Sequence, residues 1–508
     1  MRRLVVCCDG TWDTPTDRTN VSLFAEALVH DDAQVVRYLP GVGATGDPVS
    51  RLVQGAVGLG LNARVREAYT WLAETWRPGD EIVLVGFSRG AYTVRSLAGM
   101  LAATGLVAFA PGSSRRARNA VVRRVFLDGY QRGLPLPDLP YAPGFGPDDE
   151  APIAFLGVWD TVGALGIPRT FGLLSTLVSR RLQGFHDLRL APDVRHARQA
   201  LALDERRGAF VPAVWTRADD SAVDARGSFV QLWFPGVHGD VGGSGDRPRD
   251  LSDISLRWMA DEATAAVGLR WVAAPPGGPG NPLGPLDPVP RGLFSVLSPR
   301  PRSVPRVVEG APDVHPSAVA RRAGTDYRPG RLVARPEDAV VPADDPWAET
   351  GLYLGAGRYL LSASGSWSDH GASTGPGGFA RWPVRGWPDY ALGALAATYR
   401  SLVRRLTTRR ADALVAPRRA DSPRMAMVAA VANDLLSDAG TVTEGTTVPV
   451  TGPVAVELPR PGYLYAFAND SWLGYRGNAG AATLTVAPDP AGPSAPPPPP
   501  DPDPGAPA

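Results

Sequence analysis

The chain has 508 residues, 44% hydrophobic and 20% charged, with a formal net charge of +1, a length that allows roughly two to four domains. So even a charge balance gives no global electrostatic case for nucleic acid or an acidic surface. All 52 basic residues are arginine, which excludes a Walker-type phosphate lysine, a Schiff base and a Ser-Lys mechanism.

Leu4 to Cys8 reads as a buried strand closed by Asp9-Gly10-Thr11-Trp12. Cys7 and Cys8, the 2 cysteines of the chain, are strand neighbours that point to opposite faces, so they should not pair. The apolar run after Met1-Arg2-Arg3 is too short for a signal-peptide core. No uninterrupted apolar segment approaches membrane-spanning length. The chain is expected to be soluble and cytoplasmic, or exported without a cleavable signal peptide. Val21 to Leu28 reads as a short helix with Asn20 as N-cap. Gln34 to Leu39 is a second strand, Gly41 to Asp47 a flexible loop, and residues 60–76 a helix ending before Pro78-Gly79.

Ile82 to Val85 then reads as a buried strand, followed by Gly86-Phe87-Ser88-Arg89-Gly90. Behind it Ala91, Val94, Ala98 and Leu101 recur at helical spacing. A G-x-S-x-G between strand and helix is the setting of a nucleophile elbow. The serine sits on a sharp turn, the flanking glycines let strand and helix pass closely, and the helix N-terminus offers N–H groups to an oxyanion. The plainer alternative is a glycine-rich turn whose serine only caps the helix.

Residues 119–132 look helical, Pro135 to Glu150 is a Pro- and Gly-rich excursion, and Pro152 to Val158 is a strand that delivers Trp159-Asp160-Thr161. Residues 164–205 read as an insertion, either packed helices or a lid. Ser228 to Phe234 is the next strand, followed by Pro235-Gly-Val-His238-Gly-Asp240, and Leu251 to Ala265 is a helix. Pro and Gly crowd residues 274–313, which read as irregular surface. Strands separated by helices imply a mostly parallel sheet flanked by helices, an α/β-hydrolase-like class.

A serine nucleophile needs a base, and the base an orienting acid. Of the 6 histidines, His238 alone lies in a Gly-rich loop just past a buried strand late in the sheet. Asp160 stands at the end of an earlier strand, giving the order Ser, Asp, His expected of this architecture. Asp240 and Asp204 are rival acids, and Asp240 can instead close a turn. The plainer reading of His238 is a loop histidine capping a turn. The oxyanion donors expected are the backbone N–H of Arg89 and one from Gly10 or Thr11, with Asp9 holding that loop.

Several motifs occur together in order: Cys7 to Trp12 with Thr19-Asn20-Val21, Gly86 to Gly99, Gly157 to Gly163, Ala202 to Arg207, Phe234 to Gly243, Leu251 to Met259 and His315 to Arg321. Over roughly residues 1–335 the chain resembles the family of predicted α/β hydrolases that includes the first class of type VI secretion lipase effectors. The resemblance implies hydrolysis of phospholipid or a related ester, no catalytic cofactor, and Ser88, Asp160 and His238 at the family's triad positions. Gly239 stands where the family often has Ser.

From Trp347 the texture changes to short strands and turns, among them Gly351 to Leu354, Arg358 to Ala363, Ala426 to Val431, Val454 to Leu458, Tyr463 to Ala468 and Ala481 to Val486. This spacing predicts an antiparallel sandwich, interrupted by a helical insert at about residues 390–406. The expected division is a catalytic domain over 1–342, a sandwich over 343–487 and a disordered Pro-rich tail over 488–508. Trp347 to Trp367 and Gly462 to Gly480 resemble the calcium-dependent galactose-binding lectin fold of the PA-I type. That resemblance implies glycan binding and places Asp470 and Asn478 at calcium-ligand positions, although Gly474 and Gly477 replace oxygen-bearing side chains that calcium would use. The function expected is a serine esterase acting on phospholipid or related acyl esters. The alternative is a hydrolase-like scaffold without turnover that binds glycans or envelope surfaces through its sandwich.

Overall fold

The computed structural model describes residues 1–10, 15–41, 60–162, 190–208, 210–215, 228–243, 248–286, 300–380, 418–419, 421–436, 442–443, 445–472 and 474–489. The N-terminal part runs β1 (Arg3–Cys8), α1 (Asn20–Ala27), β2 (Gln34–Leu39), α2 (Leu61–Thr75), β3 (Glu81–Phe87), α3 (Arg89–Thr104), α4 (Arg115–Arg124), β4 (Ile153–Trp159), β5 (Val194–Ala202), β6 (Ser228–Phe234), α5 (His238–Gly242), α6 (Ser252–Val267) and α7 (Pro316–Gly324). The six strands form one sheet in the order β2-β1-β3-β4-β5-β6, parallel throughout.

Alternation along the strands feeds two cores, as a sheet covered on both faces requires. Leu4, Val6, Ile82 and Leu84 pack with Val65 and Leu72 of α2 and Val94 and Leu97 of α3. Val5, Cys7, Val83 and Val85 pack on the other face with Val21 and Phe24 of α1 and Met259 and Ala263 of α6. Cys7 and Cys8 thus lie on opposite faces, and both are free thiols. Since α1 and α2 cover opposite faces, the sheet changes winding direction between β1 and β3. That is the crevice where open α/β sheets place their ligands, outside the carboxyl ends of the strands.

Two sequence expectations need correction here. Residues 194–202 of the expected insertion form β5, inside the sheet; residues 163–189 lie outside the described residues. Arg198 and Gln199 disguise this strand, and each finds a partner for its buried polar group: Arg198 Nε bonds the half-buried Glu262 at 2.6 Å and Gln199 Nε2 bonds Ala213 O at 3.1 Å. The N-cap of α1 is Thr19, whose Oγ1 accepts from Ser22 N–H at 3.1 Å. Asn20 is buried and donates instead to Val241 O and Ser252 O, both at 3.0 Å, tying α1 to α5 and α6.

The C-terminal strands are β7 (Arg331–Leu332), β8 (Glu337–Pro342), β9 (Ala348–Leu354), β10 (Gly357–Asp369), β11 (Ala372–Thr374), β12 (Met427–Ala432), β13 (Leu435–Leu436), β14 (Val442–Thr443), β15 (Thr447–Pro449), β16 (Val454–Leu458), β17 (Gly462–Ala468) and β18 (Asn478–Pro488). One five-stranded sheet runs β11-β10-β18-β8 with β16 beside β10, and a second runs β15-β12-β17-β9-β7. Pairing is antiparallel except between β7 and β9. Trp367, Met427, Leu464, Leu484 and their neighbours form the core between them. Because β7 and β8 belong to these sheets, the strands of the sandwich begin at Arg331, ahead of the expected boundary at 343.

Nor is the sandwich weakly attached. Leu201, Leu203, Trp233, Val304 and Val307 form one buried cluster with Tyr353, Tyr463 and Tyr465. Arg328 joins the two parts, bonding Asp204 Oδ1 at 3.0 Å and Leu203 O at 2.6 Å while its guanidinium lies 5.4 Å from the Tyr463 ring centre. Arg206 pairs with Glu349. The expected loop at 41–47, most of the tail and the insert at 390–406 fall outside the described residues, apart from Gly41 and the tail's first residues, Pro488 and Asp489.

Candidate active site

Ser88 stands between β3 and α3 with φ 56 and ψ −120, a left-handed conformation rare for a residue with a side chain. Its hydroxyl makes no capping bond to α3, so the plainer reading of this serine as a mere cap does not describe it. The flanking glycines have distinct steric duties. A Cβ on Gly86 would come within 2.7 Å of the backbone of Gly90 and Ala91, and one on Gly90 within 2.1 Å of Cys8 O. Gly90 therefore lets α3 press against the end of β1.

The carboxyl ends of β4 and β6 bring the other two groups to the same edge. Ser88 O–H donates to His238 Nε2 across 2.9 Å, and His238 Nδ1–H donates to Asp160 Oδ2 across 2.6 Å. All three side chains are buried. Asp160 also accepts from Ala202 N–H at 3.0 Å and from both arms of Arg302, at 2.8 and 3.0 Å. Burial pushes the Asp160 carboxyl up, but Arg302 and His238 overcome it and hold it well below the usual range. Burial pushes the His238 imidazole down, opposed by Asp160. The ring is fixed between Phe87 and Phe210, 4.6 and 4.9 Å away by centroid. A neutral imidazole so held can accept a proton from a serine hydroxyl and be stabilised as a cation by a carboxylate, the arrangement that acyl transfer requires.

The rival acids are committed elsewhere. Asp240 Oδ2 accepts from Val237 N–H at 3.0 Å, closing the turn before His238. Asp204 accepts from Gly236 N–H at 2.7 Å, Tyr327 O–H at 2.8 Å and Arg328 Nε at 3.0 Å. Arg89 opens α3, where backbone N–H groups gather beside Ser88. Gly10 differs from expectation: its N–H donates to Asp9 Oδ1 at 2.8 Å and so is turned toward that carboxylate. Asp9 is buried and collects donors, with Thr19 Oγ1 at 2.6 Å and Tyr38 O–H at 2.7 Å on Oδ2. Burial pushes its carboxyl up to about 6 against the pull of those bonds. Thr11 lies outside the described residues.

Sequence reasoning missed Arg302 and Glu205. Glu205 accepts His238 N–H at 3.3 Å and pairs with Arg207 at 2.6 Å; its signal was the Ala202-to-Arg207 motif. Arg302 sits in the stretch read as irregular surface, yet only 6% of it is exposed.

The profile described as "T6SS, Phospholipase effector Tle1-like, catalytic domain" matches residues 2–133 and 141–262, half of the chain. The chain belongs to this family. A curated relative, "Uncharacterized protein YEL023C" of Saccharomyces cerevisiae, is 27% identical over 235 residues, 42% of this chain and 33% of that protein. The match thus spans a third of the relative's length. Among solved structures, "Structure of the Tle1 effector bound to the VgrG spike from the Type 6 secretion system" is similar at 18% identity and TM-score 0.28, over 48% of this chain and 51% of that one. "EclA N-terminal domain; PllA-like lectin" is similar at 20% identity and TM-score 0.18, over 31% of this chain and 98% of that one.

The second expected site lies in the sandwich. Asp470 Oδ1 accepts from Ser471 N–H at 2.7 Å and pairs with Arg424 Nη2 at 3.0 Å, while Arg424 Nε pairs with Asp369 Oδ2 at 3.0 Å. Burial pushes the Asp470 carboxyl up, against Arg424. Asp470 Oδ2 and Asn478 Oδ1 are buried without a hydrogen-bond partner among the described residues. Two such oxygens fall far short of the six to eight that calcium takes, and the guanidinium already supplies positive charge between the two carboxylates. These donors do not fit calcium. Among the described residues no group of three or more His, Cys, Asp or Glu side chains is placed to hold a metal, and no helix is long and apolar enough to cross a membrane.

Proposed function

We propose that the protein is a serine hydrolase of acyl esters, phospholipids first among them, working through Ser88, His238 and Asp160. Ser88 Oγ attacks the ester carbonyl as His238 Nε2 takes its proton. The tetrahedral intermediate expels the alcohol, which leaves with that proton, and an acyl-Ser88 remains. Water activated by His238 then attacks the acyl carbon and releases the acid and free Ser88. Asp160 keeps the imidazole in the right tautomer and balances its charge. The backbone N–H of Arg89 faces the developing oxyanion.

The observation that carries this reading is the unbroken relay from Ser88 to His238 to Asp160, at 2.9 and 2.6 Å. The choice of phospholipid rests on the family. The test is turnover of a soluble p-nitrophenyl ester and of phosphatidylethanolamine vesicles by the wild type and by Ser88→Ala. We expect Ser88→Ala to lose about three orders of magnitude or more on both. Retained turnover by the variant defeats the serine mechanism, and wild-type turnover of the soluble ester alone defeats the phospholipid assignment.

A further inference from the structure

Residues 300–307 run between the sandwich and the proposed triad and are pinned at both ends to the sandwich. Arg300 pairs with Asp434 at 3.0 Å, and Val307 N–H donates to Tyr463 Oη at 3.0 Å. Val304 and Val307 are buried against Tyr353, Tyr463 and Tyr465. Between these anchors Arg302 turns the opposite way. Its Nη1 bonds Asp160 Oδ1 and Ala202 O, both at 2.8 Å, and its Nη2 bonds Asp160 Oδ2 at 3.0 Å and Phe210 O at 2.6 Å.

We propose that Arg302 is a positioning residue for the acid of the triad and that the docked sandwich holds it there, so that the C-terminal module completes the active site. The proposal rests on the Ser88–His238–Asp160 reading. A carboxylate has room for about four donors. Here the two arms of Arg302, Ala202 N–H and His238 Nδ1–H take those places, so Asp160 cannot rotate away from the imidazole. A planar guanidinium fork gives this geometry, and a lysine ammonium does not.

The fork also sets charge. Asp160 accepts from His238 Nδ1, and Glu205 from its backbone N–H, while Phe87 and Phe210 enclose its ring. Arg302 pairs with Asp160 and Arg207 with Glu205, so two negative charges meet two positive ones. Asp240 and Asp204 bond backbone N–H groups of the preceding turn, and Asp204 also meets Arg328. With Arg302 neutralised, the acid's charge acts undivided on the imidazole and raises its proton affinity. A part that merely filled space would not move the titration of His238.

The experiment uses the full chain and a soluble acyl ester, with Arg302→Met, Arg302→Lys, and Ser88→Ala and Asp160→Asn as controls, across pH. Arg302→Met should lower kcat about 100-fold, the scale of a misplaced catalytic group, leave KM within about twofold, and move the acid limb of kcat/KM to higher pH. Arg302→Lys should keep the limb near its wild-type position and lose less kcat. Asp434→Asn combined with Tyr463→Phe, which loosens only the sandwich anchors, should lower kcat with KM unchanged. A folded Arg302→Met with wild-type kcat and pH limb overturns the proposal. If that variant does not fold, wild-type kcat in Arg302→Lys overturns it instead. Wild-type kcat in the anchor double variant removes the sandwich's part in it. Full turnover by both controls brings down the triad reading, whereas dead controls beside a silent Arg302→Met bring down only the positioning role.

Discussion

Asp160, 78 positions before His238, and its rival Asp240, just past it, are both candidate acids in the sequence, and their bonds separate them. Asp160 Oδ2 meets the imidazole at 2.6 Å, while Asp240 holds Val237 N–H at 3.0 Å. Asp160→Asn presents an amide that favours the wrong tautomer and should cut kcat by about 10⁴. Asp240→Asn should cost less than about tenfold, since it disturbs only a turn. Steady-state kinetics of the two variants checks the ranking, and the reverse order assigns the acid to Asp240. Asp9 carries a separate prediction. Its carboxyl is raised from 3.8 to about 6 in the folded chain, so the folded state binds more protons than the unfolded one between those values. Stability from this group is full below pH about 4 and lost as pH rises to about 6, reaching about 3 kcal/mol if the whole gap counts. Urea unfolding at pH 4 and pH 7 should show that loss in the wild type and not in Asp9→Asn. Equal pH dependence in the two proteins contradicts it.

The elbow depends on close approach between elements, and Gly90 is where it is tightest. Gly90→Ala sets a methyl 2.1 Å from Cys8 O, so β1 and α3 must part. A cost of about 1–3 kcal/mol is expected, with a fall in kcat because the loop after β1 moves relative to Ser88; calorimetry and kinetics together check both. A wild-type melting temperature contradicts the stated contact. Elements of this kind were legible in the sequence because they announce themselves locally. β1, β3 and β6 are apolar runs, and the helix after Ser88 carries its stripe in register. β5 was not legible, since Arg195, His196, Arg198 and Gln199 break the run, and only partners far along the chain make their placement tolerable. Arg302 was illegible for the same reason: its partner Asp160 lies 142 positions away, and its own neighbourhood of proline and arginine reads as surface. The loop glycines around His238 were visible as a pattern, and so was the turn-closing alternative for Asp240, but that Asp204 serves the same turn was not, because a bond to distant backbone leaves no periodic trace.

For the whole molecule, the shared cluster of Leu201, Trp233, Val304, Tyr463 and Tyr465 changes what removing the sandwich should do. An independent catalytic domain over 1–342, the division expected from the sequence, would let a chain ending near residue 343 keep its rate on a soluble ester. Such a chain would strip the cover from buried aromatic and aliphatic surface and leave β8 without β18. It should be poorly soluble or inactive even on the soluble ester, as size-exclusion chromatography and turnover would show; a soluble, fully active fragment contradicts the interface. Because Arg424 already bridges Asp369 and Asp470, added calcium should leave the melting temperature of the full chain unchanged, whereas a bound ion would raise it. The central claim is that Ser88 is the nucleophile activated by His238. It is tested most directly by treating the protein with a fluorophosphonate and locating the adduct by peptide mass spectrometry. The account predicts one adduct, on Ser88, absent in Ser88→Ala and slowed by about 100-fold or more in His238→Ala. Stoichiometric labelling of another residue, or of Ser88 at an undiminished rate without His238, contradicts it.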